Sequence, residues 1–105
     1  MTMSTTTRKP THPGAILRDV ILPDINITKT ELAEILGISR QMLYGILNEE
    51  KPISPETATK LGAFFGNSSI MWMNLQVKYD LYHAEKSVGK RKLDAIEKRR
   101  SAIAA

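Results

Sequence analysis

The spacing of apolar and small residues in one short segment constrains the fold more than any other feature of the chain. Residues 29–48 read KTELAEILGISRQMLYGILN. Ala33 stands where two closely crossing helices need a small side chain, and Gly37 where the turn between them needs a positive φ. The apolar residues suited to the wedge between the helices are Leu32, Leu36, Ile38, Leu43 and Ile46. The segment predicts a helix-turn-helix, with a generic α-hairpin as the alternative.

Start and stop signals along the rest of the chain predict helices only. Pro13 suits a first helical turn, Thr28 and Glu31 form a capping box, and Ser39 and Ser54 can cap the helices that follow them. The predicted helices span about 13–22, 29–36, 40–48, 55–65 and 69–87. No segment alternates convincingly with the period of a strand. We expect an all-α, five-helix domain over 12–88, a disordered leader over 1–11, and a basic tail over 89–105 that is either helical or disordered.

Composition argues against several classes of protein. The chain has 105 residues and no cysteine, and its two histidines, His12 and His83, are far apart in sequence. Disulfides and thiolate chemistry are excluded, and a metal site is not expected. Because no Gly-rich phosphate loop is present, we expect no catalytic site, cofactor or small-molecule substrate. The chain has neither a secretory signal nor a membrane-spanning apolar run, which predicts a soluble cytoplasmic protein with no membrane partner.

The net charge of +4 is confined to one end of the chain. Residues 1–89 hold nine basic and nine acidic residues, whereas residues 90–105 hold six basic and two acidic residues. Affinity for DNA comes largely from neutralising phosphates, so a neutral body predicts modest affinity for each protomer. This distribution favours a dimer, a protein partner, or a role for the tail in binding.

The second helix of the predicted helix-turn-helix carries side chains suited to reading DNA. In this motif its N-terminal residues meet base edges in the major groove. Arg40 can donate to both acceptors of guanine, and Gln41 can pair with the acceptor and the donor of adenine. The further candidate DNA contacts are Thr28, Lys29, Ser39, Tyr44, Gly45 and Asn48. The alternative is that Arg40 and Gln41 are only solvated, and that Thr28 and Ser39 only cap helices.

The fifth predicted helix is apolar on more sides than a surface helix needs. One apolar stripe contains Ile70, Met73, Val77, Leu81, Ala84 and Val88, and the second contains Met71, Trp72, Leu75, Tyr79 and Tyr82. We expect one stripe to face the core and the second, rich in aromatic residues, to bind a partner or a second copy. A symmetric dimer of this kind would present two recognition helices about 34 Å apart. The alternative is that both stripes lie inside one chain.

The tail repeats apolar residues at helical spacing among its basic residues. Leu93, Ile96 and Ile103, with Arg100, define this pattern. A solvated helix or disorder, docking on DNA phosphates, and docking on a protein partner all remain open.

Several ordered motifs over residues 12–84 resemble the HigA-type antitoxins of the Xre-like helix-turn-helix group. They are His12-Pro13-Gly14, Ser39-Arg40-Gln41 within the helix-turn-helix, residues 53–58, residues 71–76, and Tyr79-Asp80-Leu81. The resemblance implies a lambda-repressor-like fold in a homodimer that binds operator DNA and represses its own operon, with the toxin as co-repressor. It also implies that the chain neutralises a HigB-like, RelE-fold toxin that cleaves ribosome-bound mRNA. The chain departs from the family at 48–50, where relatives more often have Asn, Gly and a basic residue.

Two other functions fit the same residues. One is a stand-alone Xre-like regulator without a toxin, which an upstream reading frame for a small basic protein would argue against. The other is a protein that inhibits a partner and hardly binds DNA, which the neutral charge of the body favours.

Overall fold

The computed structural model describes residues 9–104, and throughout this range the regular structure is helical. The elements are α1 (Pro13–Ile16), which continues as a π-helical turn (Leu17–Ile21) and a 3-10 turn (Leu22–Asp24), then α2 (Lys29–Leu36), α3 (Arg40–Leu47), α4 (Pro55–Phe65), α5 (Ser69–Val88) and α6 (Lys90–Ala104). The predicted all-α fold is confirmed. Most of the predicted leader lies outside the described residues.

The first helix departs from the regular helix predicted over 13–22. Pro13 occupies its first turn, as expected, but the helix widens into a π-helical turn at Leu17. Pro23 lies inside the 3-10 turn that follows. A proline is tolerated there because the first residues of a helix have no intrahelical partner for their N–H groups.

Local capping sets the bounds of the helix-turn-helix. The Thr28 hydroxyl accepts from the Glu31 N–H at 3.0 Å, and the Glu31 carboxylate accepts from the Thr28 N–H at 2.8 Å, which is the predicted capping box. Gly37 ends α2 with a φ of 68°. The Ser39 hydroxyl then caps α3 by accepting from the Met42 N–H at 3.0 Å. Each of these features follows from the sequence by a local rule.

The core lies between α1, the two helices of the motif, α4 and the first half of α5. Its buried members are Leu17, Leu32, Ala33, Leu36, Leu43, Ile46, Leu47, Ile53, Ala58, Leu61 and Trp72. Gly14 allows α1 to cross α3 closely, since a Cβ at this position would collide with the carbonyl group of Ile46. The backbone of α1 therefore lies directly against α3.

The last helix extends from the body. Helix α6 follows Gly89 and packs with α5, and all of its residues from Lys90 to Ala104 are exposed. The molecule measures 58 × 29 × 22 Å, and its radius of gyration of 17.8 Å exceeds the roughly 13 Å of a compact chain of about this length. The tail is thus a solvated helix. Among the described residues, no helix is long and apolar enough to cross a membrane.

Candidate nucleic-acid interface

Helix α3 buries one side and exposes the side that carries the predicted base-reading residues. Leu43, Ile46 and Leu47 are buried. The residues on the exposed side are Arg40, Gln41, Tyr44 and Asn48. At 3.6 residues per turn these four positions fall within a sector of about 100°. The structure therefore brings them together as one surface, which we call the reading face.

The start of α2 lies beside the reading face. The Lys29 ammonium group is 5.8 Å from the centre of the Tyr44 ring, close enough for a cation–π contact. The hydroxyl groups of Thr28 and Ser39 each accept a backbone N–H as caps. A hydroxyl that accepts one hydrogen bond can still donate another, so capping and phosphate contact are compatible.

Gly45 is buried, unlike the other predicted DNA contacts. A Cβ at this position would come within 2.7 Å of Lys51 Cδ and 2.9 Å of Lys51 Cγ. The aliphatic stem of Lys51 therefore covers the Gly45 backbone that was expected to approach DNA. The Lys51 ammonium group belongs to an exposed residue and adds a cation beside α3.

Arg18 holds the C-terminal end of α3, and sequence reasoning missed it. Its Nη1 donates to the Leu47 carbonyl at 2.7 Å and to Glu49 Oε2 at 3.2 Å. Its Nε and Nη2 donate to the Asp19 carboxylate, each at 2.8 Å. These hydrogen bonds lower the pKa of Asp19 and raise the pKa of Arg18. The only sequence signal for this contact is the charged pair Arg18-Asp19 within an otherwise apolar first helix.

The loop after α3 contains a strained residue. Glu49 has a φ of 64°. Among residues 9–104 it is the single non-glycine residue with a positive φ. This is the position at which the chain departs from the Asn-Gly pattern of the family it resembles. A side chain in this left-handed conformation costs about 1–2 kcal/mol.

His12 connects α1 to α5 beneath the same loop. Its Nδ1 accepts from the Gly14 N–H at 2.8 Å and caps α1. The ring packs edge-on against Tyr79 at 4.8 Å, and only 2% of the residue is exposed. Burial lowers the pKa of His12, and the nearby charge of Glu49 partly opposes this effect. The sequence identified the motif His12-Pro13-Gly14 but did not predict the contact between His12 and Tyr79.

The predicted partner-binding stripe of α5 mostly packs inside the chain. Trp72 is fully buried, and its Nε1 donates to Asn67 Oδ1 at 2.7 Å. Leu75, Tyr79 and Tyr82 are half-buried, and Met71 is exposed. The indole is the largest side chain in the chain, and burying it turns this side of α5 toward α4. Trp72 therefore belongs to the core and is not accessible to a partner.

Most of the other stripe of α5 is exposed, but Met73 is partly buried against the core. Ile70, Val77, Leu81 and Val88 have exposed fractions of 69%, 44%, 54% and 48%. They lie within a sector of about 40° along the helix, and we call them the α5 apolar face. Large apolar residues in one exposed line are typical of a protein interface.

The described residues contain no group of three or more His, Asp or Glu that could hold a metal ion. The reading face offers hydrogen-bond donors and acceptors, an aromatic ring and adjacent cations, which suits contact with a polyanion.

A helix-turn-helix family model (HTH_3) matches residues 18–72. The Pseudomonas aeruginosa antitoxin HigA, solved with the higBA promoter, superposes with a TM-score of 0.74 at 40% identity, covering 78% of this chain and 89% of that one. Antitoxin HigA-1 of Vibrio cholerae is 34% identical over 76% of this chain and 75% of its own length. An uncharacterized HTH-type transcriptional regulator of Haemophilus influenzae is 37% identical over 75% of this chain and 74% of its own.

Two of these relatives are named antitoxins. The chain belongs to the Xre-like helix-turn-helix family of HigA-type antitoxins.

Proposed function

We propose that the protein is an antitoxin that binds the operator of its own operon as a homodimer, represses that operon, and neutralises a HigB-like, mRNA-cleaving toxin. The observation that carries this proposal is the reading face of α3. Ser39 caps this helix at its start, and Arg18 holds it at its end. A side chain reads bases only if its helix is fixed, and both ends of α3 are fixed by contacts within the chain.

The chemistry of the reading face supports sequence-specific binding. Arg40 can donate to guanine O6 and N7, and Gln41 can pair with adenine N6 and N7, each contributing about 1–3 kcal/mol of discrimination. Thr28, Lys29 and Ser39 stand at helix starts, where N–H groups, hydroxyls and an ammonium group favour phosphate. A repressor of an operon acts in the cytoplasm, which is the location we propose for this protein.

The α5 apolar face supports the homodimer. It is exposed in one chain, and the same face on a second copy could cover it in a symmetric contact. Two reading faces about 34 Å apart would then meet successive turns of one side of the DNA.

The toxin is proposed from the relatives. HigA of P. aeruginosa and HigA-1 of V. cholerae are both named antitoxins. The H. influenzae relative is named only as a transcriptional regulator, which favours a stand-alone repressor as the second candidate. Co-expression with the product of the adjacent reading frame separates the two: restored growth and co-purification support the antitoxin, and continued toxicity without co-purification supports the stand-alone regulator.

Operator binding is tested by fluorescence anisotropy with the DNA upstream of the operon and a scrambled duplex. Arg40→Ala should reduce the preference for the operator by about 1–3 kcal/mol, and Lys78→Ala, which removes one charge from the exposed surface of α5, should not. Equal, weak binding of the wild-type protein to both duplexes would contradict the repressor function and favour an inhibitor that acts on a protein alone.

A further inference from the structure

Four of the six basic residues of helix α6 lie on one side of the helix. At 3.6 residues per turn, Arg91, Lys92, Lys98 and Arg99 fall in one sector of about 120°, and Asp94 and Glu97 lie in the neighbouring sector, with Asp94 about 40° from Lys98. Between the four basic residues lie Ala95 and Ala102, whose small side chains leave the helix backbone open to close approach. We call this sector the basic face. The third sector contains Leu93, Ile96 and Ile103, with Arg100 among them.

No ion pair within the described part of the chain involves a residue of the basic face. Asp94 pairs with Lys90 at 3.1 Å, and Lys90 lies outside the basic face. The other ion pairs between residues 9 and 104 involve Arg18, so none of the four basic-face residues is neutralised there. All four are exposed. The excess positive charge of the protein is therefore concentrated on one solvated surface.

The segment that contains the reading face has no excess of positive charge. Residues 28–54 hold three basic and four acidic residues. Neutralising phosphates supplies much of the affinity of a DNA-binding protein, so cations from another element are required. Helix α6 holds six of the fifteen basic residues of the chain.

Helix α5 connects the loop after α3 to the start of α6. Glu49 and Lys51 of the loop after α3 line one cleft with Tyr79 and Asp80 of α5. Helix α6 begins ten residues after Asp80, or about 15 Å further along α5.

We propose that the basic face of α6 docks on the phosphate backbone of the DNA that flanks the operator half-site, independently of its base sequence. This inference rests on the proposed function, since it assigns a second contact to the same DNA. Charge complementarity selects the occupant: the face is cationic, and a toxin that binds RNA would itself be cationic.

The test compares two double variants of the full chain that lose equal charge. Lys98→Gln/Arg99→Gln removes half of the basic face, and Lys90→Gln/Arg100→Gln removes two basic residues outside it. Affinity for operator and scrambled duplexes with flanking DNA is measured at several salt concentrations by anisotropy. Circular dichroism checks that both variants keep their helices, and sedimentation records their oligomeric state.

The basic-face variant should lower the slope of log affinity against log salt by about 1.8 for each bound protomer, since each phosphate contact contributes about 0.9. The loss of affinity between 50 and 200 mM salt then becomes about tenfold smaller for each protomer. Its ratio of operator to scrambled affinity should stay unchanged, because phosphate contacts carry no base information. The control variant should keep the wild-type slope.

Failure of this inference is distinguishable from failure of the proposed function. A wild-type protein that binds the operator and the scrambled duplex equally would contradict the proposed function. If the operator preference is intact and both variants have the wild-type salt slope, the docking of α6 on DNA is overturned. An equal fall of the slope in both variants would also overturn it, because the effect would then come from net charge and not from the basic face. A changed oligomeric state in the basic-face variant, with an unchanged slope, would place a second copy on α6 instead.

Discussion

The Nη1 atom of Arg18 lies 2.7 Å from the carbonyl oxygen of Leu47, the last residue of the recognition helix. This hydrogen bond joins residues that are 29 positions apart in sequence. The last carbonyls of a helix have no partner within it, so a cation placed there both satisfies a carbonyl and matches the helix dipole. The first helix thereby holds the end of α3 in place.

Arg18→Ala is expected to lower the melting temperature and to weaken operator binding. The substitution removes the donor to Leu47 and the partner of Glu49, and it also frees the end of α3. Asp19→Ala is the matched control, because it removes only the exposed partner of Arg18. Thermal unfolding and anisotropy measure both effects. An Arg18→Ala protein that melts and binds like Asp19→Ala would show that the contact with Leu47 does not position α3.

Glu49→Gly should be more stable than Glu49→Ala by about 1 kcal/mol. Both variants lose the ion pair with Arg18, but only glycine relieves the left-handed conformation at φ 64°. Urea unfolding at neutral pH provides the comparison. Equal midpoints for the two variants would mean that the backbone at this position is not strained.

Local rules account for the parts of the fold that the sequence predicted well. The capping box at Thr28, the left-handed Gly37 and the Ser39 cap each depend on residues within three or four positions of one another. They were enough to place both helices of the motif and the reading face on the second of them.

Contacts between distant residues account for the parts that were missed. Both sides of α5 are apolar, so its sequence did not show that the side with Trp72 would face the core and the side with Leu81 would face solvent. The contact of Arg18 with Leu47 and the cover of Gly45 by Lys51 depend on how the elements pack. No local pattern in the sequence encodes either of them.

Stability should fall as the pH drops below about 6.5, the ordinary pKa of histidine, and His12 should contribute to this fall. Burial lowers the pKa of His12 in the folded protein, so the unfolded chain takes up the proton first and is favoured at lower pH. His12→Asn keeps a helix-capping side chain that does not titrate in this range. Melting temperatures measured between pH 8 and 5 should decline less in this variant. An identical decline in both proteins would exclude His12 as the source.

Leu81→Asp should separate the proposed dimer and weaken operator binding. Leu81 is 54% exposed in the single chain, so the charge can be solvated in the monomer but not in a symmetric contact through α5. Val20→Asp, at an apolar residue that is 60% exposed outside α5, is the control. Sedimentation equilibrium measures the oligomeric state. A Leu81→Asp protein that remains a dimer would place the interface elsewhere.

The most direct test of base reading by α3 is a double-mutant cycle between Arg40 and the operator guanines. Each guanine is replaced in turn by 7-deazaguanine, which lacks the N7 acceptor, and binding is measured for the wild-type and Arg40→Ala proteins. At one guanine in each half-site the wild-type protein should lose affinity roughly fivefold, while Arg40→Ala should be insensitive to the replacement. Equal losses in the two proteins at every guanine would show that Arg40 does not read the operator.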